Sequence, residues 1–269
     1  MRILLLFLRK ELKAIGSDRR VWPVYVVFPV LAIGLPTFLA TLSPLLIRQG
    51  MAAHDPGMLQ ISRLVHTMPG FADMGPEEGM TRYLLRSVAV LFLLMPVALS
   101  STSAAFSIVG EKQQRTLEPI LATPITDRQF LLGKLIAAAV PTIVMTWLTA
   151  LVTVAVVDIV THGRYPTLLL PDRFWALGIL VLAPLLATAV VLVTMRFSAK
   201  ATDPQATVQA TALAIIPGFL ILIAVFGKVL TTYFTALCIA CLVMTVIDLV
   251  LFRGNTHTFR REEILTRWK

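Results

Sequence analysis

The stretch "GEKQQRTLEPILATPITDRQF" occupies Gly110–Phe130. It is the most polar run between two long apolar segments, and it carries Glu111, Lys112, Arg115, Glu118, Asp127 and Arg128. Inside it lies a short apolar core, "LEPILATPI", punctuated by Pro119 and Pro124. Thr116 can cap a short helix that Leu117 and Glu118 open, and Pro119 still falls in the first turn, where a missing N–H costs little. Leu117, Ile120 and Leu121 then form a small apolar ridge. Pro124 disfavours helix at Thr123 and stops the element. Thr126 and Gln129 have the spacing of a capping box, with Ile125 and Phe130 as its hydrophobic staple. The residues thus predict a short transverse helix, a sharp turn, and the start of a new long helix. A charged, capped loop of this kind can serve as a docking lever or simply set topology, and the local chemistry leaves both readings open.

Composition says where such a loop sits. Of the 269 residues, 57% are hydrophobic and only 14% charged; a soluble domain has roughly 45–50% apolar and about 25% charged residues. The chain is therefore expected to be an all-α polytopic membrane protein. Six apolar runs are long enough to span a bilayer, which takes about 20 residues: Val24–Leu42, Leu84–Val109, Phe130–Val157, Phe174–Met195, Ala206–Ala224 and Val229–Phe252. Prolines inside them are tolerable because neighbouring helices can satisfy the carbonyls that proline frees. The opening residues 1–20 place Arg2, Arg9 and Lys13 near one helical face and leucines on the other, as in an interfacial helix lying on the membrane. Residues 48–82 form the longest polar connection, with "MLQISRLVHTM" able to make one short helix and Ser62 expected to be accessible there. The last two runs form either a tight hairpin or a partly re-entrant element around Pro217 and Gly218.

Lysine and arginine orient the chain. With the N-terminus in the cytosol, seventeen of the 24 lysines and arginines fall on the cytosolic side and seven outside. Both termini and the 110–129 segment are then cytosolic, in a cytoplasmic (inner) membrane. The basic charge is spread over every cytosolic segment, not gathered in one patch, which argues against nucleic acid as a partner.

With that topology, "GEKQQRTLEPILATPITDRQFLLGKL" closely resembles the signature of permease subunits of type-2 ABC exporters. The matching residues are Glu111, Lys112, Thr116, Leu117, Glu118, Ile120, Leu121, Thr123, Pro124 and Ile125, followed by Gly133 and Lys134. Ile120 stands where leucine is commoner. The resemblance implies a single transmembrane permease domain over 1–269, with six spans. It implies that Glu111, Lys112, Arg115, Thr116, Leu117, Glu118, Ile120, Leu121 and Pro124 form a coupling helix seated on a separate ATPase subunit. Two ATPase copies would bind ATP and magnesium, and a second permease copy or a sister permease would complete the pathway. The chain itself has no G-x-x-x-x-G-K-[ST] phosphate loop and no cofactor is expected in it.

Other constellations are weaker. Cys238 and Cys241 lie within one apolar run and read as packing residues. Asp158 and Asp248 lie near the ends of their runs and read as interfacial anchors. Ser100, Ser101, Thr102, Ser103 and Ser107 cluster in the second run, where small polar residues either join helices or line a pathway. Spans two and five line the pathway in the resembling family, so Ser100, Ser103, Ser107, Gln209 and Thr211 are the candidate pathway residues, and their hydroxyls and amide favour an apolar or amphipathic cargo. Two other classes stay in view. An ion-driven secondary transporter would place ionisable groups at mid-membrane, and a non-transporting assembly or sensing subunit could use the same lever.

Overall fold

The computed structural model describes residues 21–68, 70–113, 127–165, 168–201, 203–221 and 234–258. The expected interfacial helix over 1–20, the greater part of the coupling segment (114–126) and the turn near Gly227 and Lys228 lie outside these residues. Among the described residues the chain is all helical, with no strand. The long elements are α1 (Trp22–Ala52), α2 (Pro56–His66), α3 (Pro76–Phe92), α4 (Leu94–Gln113) and α5 (Asp127–Thr161). Then follow α6 (Arg173–Leu177), running through a π-helical turn (Gly178–Leu182) into α7 (Ala183–Lys200), then α8 (Pro204–Ile221) and α9 (Phe234–Thr258).

Among the described residues, four stretches are long and apolar enough to cross a membrane: Trp22–Ala52, Arg128–Thr161, Arg173–Ser198 and Phe234–Asn255. The other two expected spans differ. The second is not one helix: it breaks at Leu93, leaving a shorter apolar helix over Leu94–Gly110. Pro96 explains the break, because it lacks an N–H and its ring opposes the carbonyl of Phe92 one turn earlier. The fifth is described only as far as Ile221, within α8.

α4 lies at the centre, packed by α1, α5, α7 and α8. α7 is its principal neighbour and in turn meets α5, α8 and α9. Two apolar clusters fix the direction of the elements. Ile108, Leu131 and Met195 pack together with Phe252, so the last turns of α4, α7 and α9 share one end with the first turns of α5. Leu85, Phe92, Val157, Leu169, Trp175 and Ile179 pack at the opposite, far end. At the far end α2 lies against α1 and α3 over Ile47, Val65, Phe71 and Met80. A helix was expected here, but Ser62 is on its buried side, because Ser62 and Val65 share a helical face. Ser62 is therefore not an accessible position; Gln60 is.

The prolines show how the membrane helices hold together. Pro36 inside α1 offers no N–H to the carbonyl of Ala32; the Thr153 hydroxyl of α5 lies 3.3 Å from that oxygen and shares its one proton between it and Thr149 O at 2.8 Å. In the π turn the N–H of Ala183 reaches back to Gly178, which would leave the Ile179 carbonyl to the next residue, Pro184, and proline has no donor. Trp147 of α5 fills the gap, its Nε1–H donating to Ile179 O at 3.0 Å. A buried carbonyl left without a partner costs about 1–3 kcal/mol. Trp147→Phe keeps the ring and removes the donor, so it should destabilise the protein by about that amount in reversible denaturation in micelles. Adding Pro184→Ala, which restores a backbone donor, should recover part of the loss. An unchanged midpoint for Trp147→Phe would show that this carbonyl does not depend on the indole.

Candidate functional site

α4 carries a hydroxyl face along its length. Ser100, Ser103 and Ser107 are spaced three and four residues apart, so they share one side of the helix, and all three are buried. Their neighbours Ser101 and Thr102 turn back to the Ala98 carbonyl at 3.0 and 2.9 Å, satisfying themselves within the helix. Ser100 and Ser103 do not: their hydroxyl oxygens are buried with no hydrogen-bond partner among the described residues. Ser107 is engaged by Lys134 of α5, whose Nζ donates to the Ser107 hydroxyl at 2.8 Å and to its carbonyl at 3.4 Å.

α8 packs on α4 and α7. Asp203 caps it, accepting from the Ala206 N–H at 2.9 Å, with Pro204 next in the first helical position. Thr207 and Thr211, one turn apart, are both buried and both return their hydroxyls to the preceding turn, Thr211 to Thr207 O at 2.8 Å. Gln209 is exposed, because two residues along a helix turn a side chain to a different face. The five candidate pathway residues thus divide. Ser100, Ser103 and Thr211 are buried in the bundle, Ser107 also serves Lys134, and Gln209 is exposed. Of the coupling residues, Glu111 and Lys112 lie in the last turn of α4; Arg115, Thr116, Leu117, Glu118, Ile120, Leu121 and Pro124 lie outside the described residues.

α9 is the least enclosed of the long apolar helices, and polar contacts attach it to α7. Asp248 accepts from the Thr188 hydroxyl at 2.7 Å, and its other oxygen is buried without a partner. Arg196 donates to Asn255 at 2.5 Å, and Asn255 in turn donates to Leu192 O at 2.9 Å. The expectation for Asp248 is corrected: it lies within the Phe234–Asn255 span and faces α7, whereas an interfacial anchor would sit at the end. Asp158 does serve the far end, accepting from the Leu170 N–H at 3.3 Å. Cys241 is buried in the apolar cluster with Leu182 and Leu186, as a packing residue would be, while Cys238 is exposed. Among the described residues no group of histidine, cysteine and carboxylate side chains could hold a metal ion.

The far end is a charged lattice. Arg86 is buried against Asp172 at 2.6 Å, with its guanidinium 4.6 Å from the Phe71 ring centre and 4.0 Å from that of Phe174. Asp172 also caps α6, accepting from the Trp175 N–H at 2.8 Å. Arg82 reaches Glu78 and the Leu168 carbonyl. Tyr165 contacts Thr81 and Glu77, each at 3.4 Å, and Glu77 also pairs with Arg48. Burial pushes the Tyr165 phenol up. These contacts join α1, α3, α6 and the chain between α5 and α6. The Arg86–Asp172 pair spans 86 positions of sequence, and no local pattern marks it.

Removing one partner of a buried ion pair strands the other and costs about 3–5 kcal/mol. Arg86→Leu should therefore destabilise the protein by about that much in a denaturant titration, and adding Asp172→Leu should cost far less than the sum of the two single changes. A penalty below about 1 kcal/mol for Arg86→Leu would mean that the pair is hydrated and weak.

No curated protein matches the sequence. The family model for the ABC-2 family transporter protein matches residues 5–235, most of the chain and every long element except the main length of α9. Described residues that are all helical, with apolar spans and a polar stretch of sequence between α4 and α5, are consistent with that match. The chain belongs to the ABC-2 family of transporter proteins and is a membrane component of that family.

Proposed function

We propose that this chain is the transmembrane subunit of an ATP-driven exporter. It works as a dimer of permease subunits, and a pair of separate ATPase subunits supplies the ATP chemistry through the 110–129 segment. The observation that carries this reading is the position of that segment. It joins α4, which packs directly on α1, α5, α7 and α8, to α5. A push on the segment therefore reaches α1, α7 and α8 through direct packing, which is what a lever requires. The reading also places both termini and the segment in the cytosol, in agreement with the distribution of lysine and arginine.

The cargo we propose is apolar or amphipathic, drawn from the membrane or its inner surface. Ser100, Ser103 and Thr211 are the contacts we assign to it. Between α4 and α8 these residues supply hydroxyls and no charge, and a bare charge there would be costly to bury. Gln209, on the exposed side of α8, is where a second permease copy would cover an amide that lipid would leave unsatisfied.

One observation favours an ion-driven carrier instead: Asp248 is an acid inside a span with one oxygen unpartnered. Against it, its other oxygen accepts from the Thr188 hydroxyl, and among the described residues it belongs to no group of three or more histidine, cysteine or carboxylate side chains.

The test uses the complex of the chain with its ATPase. Glu118→Arg reverses one charge of the segment, and a charge reversal on a solvated surface changes stability by no more than about 0.5 kcal/mol. It should leave the permease folded and either abolish ATPase binding or separate ATP hydrolysis from transport. Full binding with full transport in Glu118→Arg would overturn the docking role. Flux driven by an ion gradient without ATP would establish the carrier.

A further inference from the structure

Lys134 sits at the eighth position of α5, about 10 Å along the helix from its first residue at 1.5 Å per residue. Ser107 lies about 9 Å before the last residue of α4 by the same measure. The two residues are therefore at equal depth, one on each helix that flanks the 114–126 segment. A lysine this close to the end of a membrane helix ordinarily runs its stem along the surface and puts its head group in water. Lys134 does the opposite. It is only 1% exposed, and its Nζ turns inward to the Ser107 hydroxyl and carbonyl. Around this contact the apolar residues Ala104, Ile108, Leu131 and Ala138 close against one another.

We infer that Lys134 is a positioning residue, a clasp that makes the inner ends of α4 and α5 move as one body when the 110–129 segment is pushed. The inference rests on the exporter reading above for the source of the push, but the clasp itself is a property of the permease. The physical reason is an asymmetry of cost. Apolar side chains at a helix contact can slide past one another with little penalty, since each position offers new apolar neighbours. A buried amino head group slides less easily, because leaving the Ser107 oxygens would cost it two hydrogen bonds in a low-dielectric site. The contact therefore resists both separation and sliding. The force received by the segment then goes into tilting the α4–α5 pair against α7 and α8, on which it packs.

The experiment measures distances between spin labels on cysteines placed at Gln113 and Arg128, both exposed, with Cys238 and Cys241 replaced by alanine. In the permease alone in lipid nanodiscs, the parent should give one narrow distance distribution. Lys134→Met, which keeps the stem and removes the donors, should broaden it at least twofold, and Lys134→Arg should restore it. Ser107→Ala, which retains the carbonyl, is the gentler variant and should broaden it less. A distribution in Lys134→Met or Ser107→Ala as narrow as in the parent would overturn the clasp. In the assembled complex, a third label at exposed Arg253 reports the movement. On addition of ATP, its distances to Gln113 and to Arg128 should change together in the parent and separately in Lys134→Met; separate changes in the parent would also overturn the proposal. A permease that takes up no ATPase would remove the exporter reading, while the nanodisc distances still decide the clasp.

Discussion

Within a bilayer, a polar group has no water to fall back on, so every freed carbonyl and every buried head group must find its partner inside the chain. This requirement organises the bundle. Pro36 interrupts the ladder of α1, and Thr153 of α5 answers it; Pro184 leaves the Ile179 carbonyl open, and Trp147 of the same α5 answers that. Both repairs come from one helix, so α5 is pinned to α1 on one side and to the π turn before α7 on the other. Apolar packing alone would not choose that register, since lipid tails compete for apolar surface almost as well as a neighbouring helix does.

The two ends of the bundle meet the same requirement differently. At the far end, Arg86 is held by Asp172 and lies between the faces of Phe71 and Phe174, and Arg82, Tyr165 and Glu77 extend the lattice across α1, α3 and the chain before α6. Contacts that bridge so many elements resist any opening there. At the opposite end, Lys134 joins α5 to α4, and Arg196 with Asn255 joins α7 to α9.

How much of this was legible in the sequence depends on the range of the interaction. Long apolar runs identify membrane helices because the signal is local and strong, and α1, α4, α5, α7, α8 and α9 were readable this way; the first turns of α3, from Pro76, fall instead within the expected 48–82 loop. The break at Leu93 was harder to read: Pro96 looks like the other prolines of the spans, but it lies one turn from a helix start, where it ends an element, whereas Pro36 sits mid-helix with a partner across from it. The Asp203–Pro204 pair is a local start signal for α8 and could have been read. The roles of Asp248 and Lys134 could not, since each depends on which residue of another helix stands opposite, Thr188 in one case and Ser107 in the other. Ser62 shows the same limit, as its polarity says outside and its helical face says inside.

The account depends most on the end of the bundle that carries the 110–129 segment facing the cytosol. Single cysteines at Gln60 on α2 and at Gln113 at the end of α4, in a chain lacking Cys238 and Cys241, put one accessible thiol at each end. With a membrane-impermeant maleimide added to intact cells, the cysteine at 60 should react, and that at 113 should react only after the membrane is permeabilised. Labelling of position 113 in intact cells, with position 60 protected, would contradict the account.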